Sequence, residues 1–153
     1  MSHVVAINCE ITDLEALAEA CKTLGLTLKR NQSSYKWYGR TVGDAPLPEG
    51  FKSKDLGSCV HAISVDGANG NPYEIGVCKR KDGGEGFTLL LDYWCGGFGL
   101  MEKCSSQGQS GKSPDLLVQE YAKQVTIKQL KKRGFRLKET RLPNGKIQLQ
   151  AVK

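Results

Sequence analysis

Three side chains of this chain have the chemistry of a reaction centre. Glu74 and Asp92 fall on the two arms of one predicted hairpin, and His61 falls on the strand before it. Two carboxylates pointing away from a core would flank a shallow site for general acid–base work, and an imidazole titrates in the range such work needs. The competing reading is structural, because lone carboxylates on the wet face of a sheet mostly keep it soluble. No Ser/His/Asp or Cys/His grouping is defined by the spacing, so no catalytic residue is assigned and the reading leans away from an enzyme.

Other motifs reduce in the same way. Gly108-Gln109-Ser110-Gly111-Lys112-Ser113 opens a helix as a phosphate loop does, but the position five before the second glycine is Ser106. Without a glycine there the backbone cannot wrap a phosphate, and the segment reads as a loop ending in a helix cap. The six cysteines contain no C-x-x-C pair, and Cys95 with Cys104 lacks the spacing of a zinc ligand pair. Neither a metal nor a cofactor is implied.

Cations interleaved with aromatic residues form the richer set. Tyr35, Trp37, Tyr38 and Arg40 lie close together, and Asp92 and Trp94 end the hairpin. These six are the candidate partner-binding residues. Lys29, Arg30 and Lys36 accompany the first group, while Lys131, Lys132, Arg133 and Arg136 form a basic stretch near the C-terminus. Exposed aromatics among cations suit the stacking of single-stranded bases, which makes these seven a candidate nucleic-acid surface. No alternating glycine–aromatic RNA signature accompanies them, and cations at a helix end also stabilise that end.

The elements that must position these residues are readable from periodicity. Asn71 to Trp94 reads as two strands around a glycine-rich turn. Phe87, Leu89, Leu91 and Tyr93 share one face of the second strand, and Leu90 and Trp94 share the other. A strand apolar on both faces is an interior strand with material above and below it. Val5, Ile7, Cys9 and Ile11 alternate along an opening strand. A capping box at Thr12–Glu15 then starts an amphipathic helix that ends at Gly25. Ser113-Pro114-Asp115 starts a second helix running to about Arg133, and Pro143-Asn144-Gly145 turns a closing hairpin. Residues 41–57 are read as a surface excursion and 95–112 as a flexible loop or lid.

The resulting expectation is one α+β domain over residues 1–153. Its mostly antiparallel sheet carries two helices on one face, a ferredoxin-like β-α-β-β-α-β core with extra strands and a C-terminal hairpin. The composition is globular, at 39% hydrophobic and 25% charged, and the net charge of +6 permits an acidic partner without requiring one. No apolar run reaches a membrane span and the opening residues lack a signal peptide, so no membrane partner and a cytoplasmic setting are expected.

Several motifs resemble one family. They are Met1-Ser2-His3, Asp13-Leu14-Glu15-Ala16-Leu17, Tyr73-Glu74-Ile75-Gly76-Val77, Asp92-Tyr93-Trp94, Tyr121-Ala122 and Asn144-Gly145-Lys146-Ile147. In their order and spacing they resemble the family known as hypothetical chloroplast reading frame thirty-five, found in plastids, cyanobacteria, other bacteria and phages. The family carries no established activity, so the resemblance implies a fold and a cytoplasmic, stromal or infected-host setting. The long segments at 41–57 and 95–112 depart from its pattern. The functional expectation is a non-catalytic protein-binding module, an adaptor or regulator, with a basic nucleic-acid-binding domain as the alternative.

Overall fold

A computed structural model describes residues 3–39, 47–67 and 70–152. The chain opens with β1 (Val4–Ile11), α1 (Leu14–Thr23), β2 (Leu26–Lys29), β3 (His61–Val65), β4 (Ile75–Lys79) and β5 (Phe87–Asp92). It continues with α2 (Leu100–Cys104), α3 (Asp115–Lys132), β6 (Arg136–Arg141) and β7 (Ile147–Val152). The first five strands form one antiparallel sheet in the order β1-β5-β4-β3-β2, and β6 pairs β7 in a sheet of their own. The α+β class, the antiparallel sheet and the closing hairpin are as the periodicity predicts. Because β1 and β2 are opposite edges, α1 must span the whole sheet.

Both faces of the sheet are covered. Ile63, Ile75, Val77, Leu89 and Leu91 pack beneath α1, α2 and α3 through Leu17, Ala20, Cys21, Leu100, Met101, Leu117 and Tyr121. On the other face Leu90, Ala62 and Cys78 pack against Tyr35 and Phe51, with Trp37 and Cys59 at the margin. The double-sided reading of β5 therefore holds, and the cover on the second face is irregular chain rather than helix. Gly76 on β4 lets that cover approach, since a Cβ there would stand 2.5 Å from the Tyr35 ring.

Helix ends differ in detail from the sequence reading. The cap of α1 is Asp13, whose carboxylate accepts from the Ala16 N–H at 3.0 Å, rather than the Thr12 hydroxyl. The Thr12 and Asp13 N–H groups instead donate to the Tyr121 hydroxyl, which ties α3 to the β1–α1 junction. Helix α3 has no side-chain cap of its own, and Ser113 does not supply one. The hairpin packs on the flank of α3, where Lys123 pairs with Glu139 at 3.0 Å and Gln119 donates to the Gly145 carbonyl. Helix α3 thus meets the sheet through Leu117 and Tyr121 and the hairpin through Gln119 and Lys123.

The segment 95–112 is not a loose lid. It holds a tight turn at 94–99, helix α2 and a second short turn at 108–110, and it buries Leu100, Met101 and Cys104 completely. Burial pushes the Cys104 thiol up to about 12. Its glycines and serines give compactness rather than freedom: the Ser105 side chain is packed directly against Gly111. Among the described residues no helix is long and apolar enough to cross a membrane.

Candidate functional site

His61, Glu74 and Asp92 do not meet; each takes a different backbone amide of the segment between β2 and β3. His61 Nδ1 accepts from the Asn31 N–H at 3.0 Å. Glu74 accepts from the Lys36 N–H at 3.0 Å and holds Lys29 Nζ at 2.7 Å. Asp92 accepts from the Tyr38 N–H at 3.1 Å. Glu74 and Asp92 thus fasten one irregular segment over the second face, whereas His61, on the helix-covered face beside Val77 and Phe87, takes the amide just after β2. Segments without a ladder need such partners, because a buried amide left unpaired is costly. Desolvation, followed by the charge of Arg30, holds the His61 imidazole below its ordinary value of 6.5. A cleft of about 370 Å³ beside Arg80, Lys81 and Asp82 contains none of the three.

Asp92 does more than its companions. It is fully buried, and Oδ1 also accepts from the N–H groups of His3 and Trp94, both at 3.0 Å. Three separate pieces of chain therefore converge on one carboxylate at the end of β5: the start of β1, the 31–38 segment and the turn after β5. Asp92 positions the surface above it and has no face to offer a partner.

That surface is aromatic. The His3 ring stacks on Tyr93 at 5.2 Å between centroids and tilts against Trp94 at 5.5 Å. Tyr73 meets the edge of Phe98 at 5.2 Å, and Lys112 Nζ lies 6.0 Å from the Tyr93 ring. The Tyr73 N–H donates to the Gly97 carbonyl at 2.8 Å, locking the turn to the strand beside it.

The turn itself is unusual. Cys95, Gly96, Gly97 and Phe98 are four consecutive residues in the left-handed region, with φ of 50°, 62°, 61° and 54°. Glycine adopts this region freely, but each residue with a Cβ costs about 1–2 kcal/mol there. The two that bear that strain, Cys95 and Phe98, are exposed, whereas Gly96 and Gly97 are buried. Phe98 is 54% exposed, the most of any large hydrophobic residue among those described.

The sequence-derived partner set is thus rearranged. Trp94 and Tyr38 border this surface, half-buried. Trp37 is half-buried beneath Gly57 and belongs with the second-face cover. Tyr35 is buried and is core rather than contact surface. Arg40 lies outside the described residues, as does part of the 41–57 segment. Sequence reading missed His3, Tyr73 and Phe98. The signal was Cys-Gly-Gly-Phe-Gly, where three glycines in five residues mark a left-handed turn that must project its phenylalanine.

The basic set also divides. Lys29 is neutralised by Glu74, and Lys36 Nζ donates to Asn71 at 2.9 Å, so both serve the fold. Arg30 is exposed beside them, whereas Lys131, Lys132, Arg133 and Arg136 are exposed along the end of α3 and the start of β6. The phosphate-loop look-alike is closed by its own helix: Asp115 accepts from the Ser106 N–H at 2.9 Å and from its hydroxyl. Among the described residues no three His, Cys, Asp or Glu side chains are grouped to hold a metal. Compared with protein-family models, curated proteins and solved structures, the chain matches none.

Proposed function

We propose that this protein is a protein-binding module, an adaptor or regulator. Its contact surface is the aromatic end of the sheet, formed by Phe98, Tyr73, Tyr93, Trp94 and His3. The observation that carries this reading is Phe98, a bulky residue held in a strained left-handed conformation with more than half its surface in water. Phe98 rests on Tyr73 by an edge contact that leaves most of its ring in water, and strain of this kind concentrates at functional positions. Aromatic side chains on a rigid base are the usual anchors of protein interfaces, because they bury much area while freezing few rotors. Asp92 and the Tyr73–Gly97 hydrogen bond supply the rigid base. The family resemblance adds a cytoplasmic, stromal or infected-host setting to the proposal.

The test is capture from the native host with wild-type and Phe98→Gly baits. Glycine is relaxed at φ 54°, so relief of strain offsets the lost Tyr73 contact and stability stays nearly unchanged. The expected result is a partner protein held by the wild type and lost from the variant at an equal thermal midpoint. Identical capture by both baits would overturn the proposal.

A further inference from the structure

The whole net charge of the chain sits in one place. Residues 131–146 carry seven Lys and Arg against one acid, Glu139, while the rest of the chain has fifteen of each sign and is neutral. That single acid is already paired with Lys123 of α3. A surplus of six charges within sixteen residues far exceeds what the end of one helix needs.

The fold arranges this charge on a ribbon. Register pairs Arg136 with Val152, Lys138 with Gln150 and Thr140 with Gln148, so these six share one face of the β6–β7 hairpin. All six are exposed. The opposite face carries the half-buried Leu137, Ile147 and Leu149 together with Glu139, whose ion pair shows that it turns toward α3. The outer face is thus a two-stranded ribbon bearing an arginine, a lysine, a threonine and two glutamines. At six residues per strand it is about 20 Å long. Lys131, Lys132 and Arg133 flank one end of it at the close of α3 and Lys146 borders the turn at the other, while Arg141, paired with Ile147, belongs to the inner face.

We infer that the β6–β7 ribbon is a docking surface for double-stranded DNA, entering the major groove with its outer face. The major groove admits a two-stranded ribbon, and its base edges are read by the side-chain types this face presents: Arg or Lys to guanine, Gln to adenine, Thr to the thymine methyl. The four flanking cations reach the phosphates on either side. No aromatic residue stands on the ribbon, which removes the stacking a single strand would need. Duplex RNA is disfavoured because its major groove is too narrow to admit a ribbon. This surface is separate from the aromatic end of the sheet, so the two proposals stand or fall independently.

Fluorescence anisotropy of the full chain with a labelled 30-base-pair DNA duplex tests the inference. Four phosphate contacts give a slope of about −3.6 in log affinity against log salt, a loss of about 150-fold between 50 and 200 mM. Lys131→Ala/Lys132→Ala should flatten the slope by about 2, and Arg136→Ala/Lys138→Ala should weaken binding by about tenfold or more. All four positions are exposed, so far-ultraviolet circular dichroism should be unchanged in both variants. Absence of duplex binding at 50 mM salt would overturn the inference. Tighter binding to the single strand or to duplex RNA would do the same, as would wild-type affinity and slope in both variants.

Discussion

Replacing Asp92 with asparagine tests the claim that one buried carboxylate holds three chain segments together. In the wild type, Oδ1 accepts from His3 and Trp94 at 3.0 Å and Oδ2 accepts from Tyr38 at 3.1 Å. Asparagine keeps one oxygen. In its better orientation it retains the His3 and Trp94 bonds and turns an NH₂ group toward the Tyr38 N–H, setting donor against donor. Hydrogen bonds to a charged acceptor contribute about 1.5–3 kcal/mol each and neutral ones about 1. One lost bond and two weakened ones therefore cost about 4 kcal/mol. Removing a buried charge that has no cation beside it among the described residues returns part of this. The net expectation is about 3 kcal/mol. At this chain length that lowers the thermal midpoint by about 6–12 °C. Thermal unfolding followed by circular dichroism gives the shift, and amide hydrogen exchange should show the Tyr38 N–H losing its protection. A variant melting within 2 °C of wild type with Tyr38 still protected would refute the clamp.

Three further outcomes follow from the same geometry. His61 is harder to protonate in the folded protein than in the unfolded chain, so between the folded value and 6.5 the unfolded state binds more protons and stability rises with pH. Stability should be complete above pH 6.5 and fall as the pH drops below it. His61→Asn, which keeps an acceptor near the Asn31 amide without titrating, should flatten that dependence in denaturant melts from pH 5 to 8. Met101→Ala should cost about 2–5 kcal/mol because the side chain is fully buried beneath the sheet. Exchange of residues 95–112 for a glycine–serine linker should likewise abolish cooperative unfolding, whereas an unchanged melting curve would restore the reading of that segment as a lid.

The difference between what was legible and what was not has a local physical basis. Alternation along β1 and β5, the stripe of α1 and the Asn-Gly turn of the hairpin are short-range patterns. Each element must hide an apolar face wherever it ends up, so its residues declare it. The second-face cover could not be read this way, because Tyr35 and Trp37 stand in a segment with no period and only the approach over Gly76 makes them core. The segment 95–112 misled for a related reason. Glycine and serine usually signal freedom, but here they are small because Gln109, Ser105 and Leu100 press against them.

The sequence by itself determined the strands β1 and β5, the helices α1 and α3, the closing hairpin and the concentration of charge near the C-terminus. It also named Asp92, Glu74 and His61 as the polar side chains that mattered, without saying for what. Only the tertiary structure decided that these three are spent on backbone amides, because hydrogen bonds between residues 30 to 89 positions apart leave no trace in spacing. It alone brought His3 from the first residues of the chain onto Tyr93 and Trp94. The same long-range closure, fastened on a carboxylate the sequence had marked for chemistry, leaves Phe98 standing in solvent.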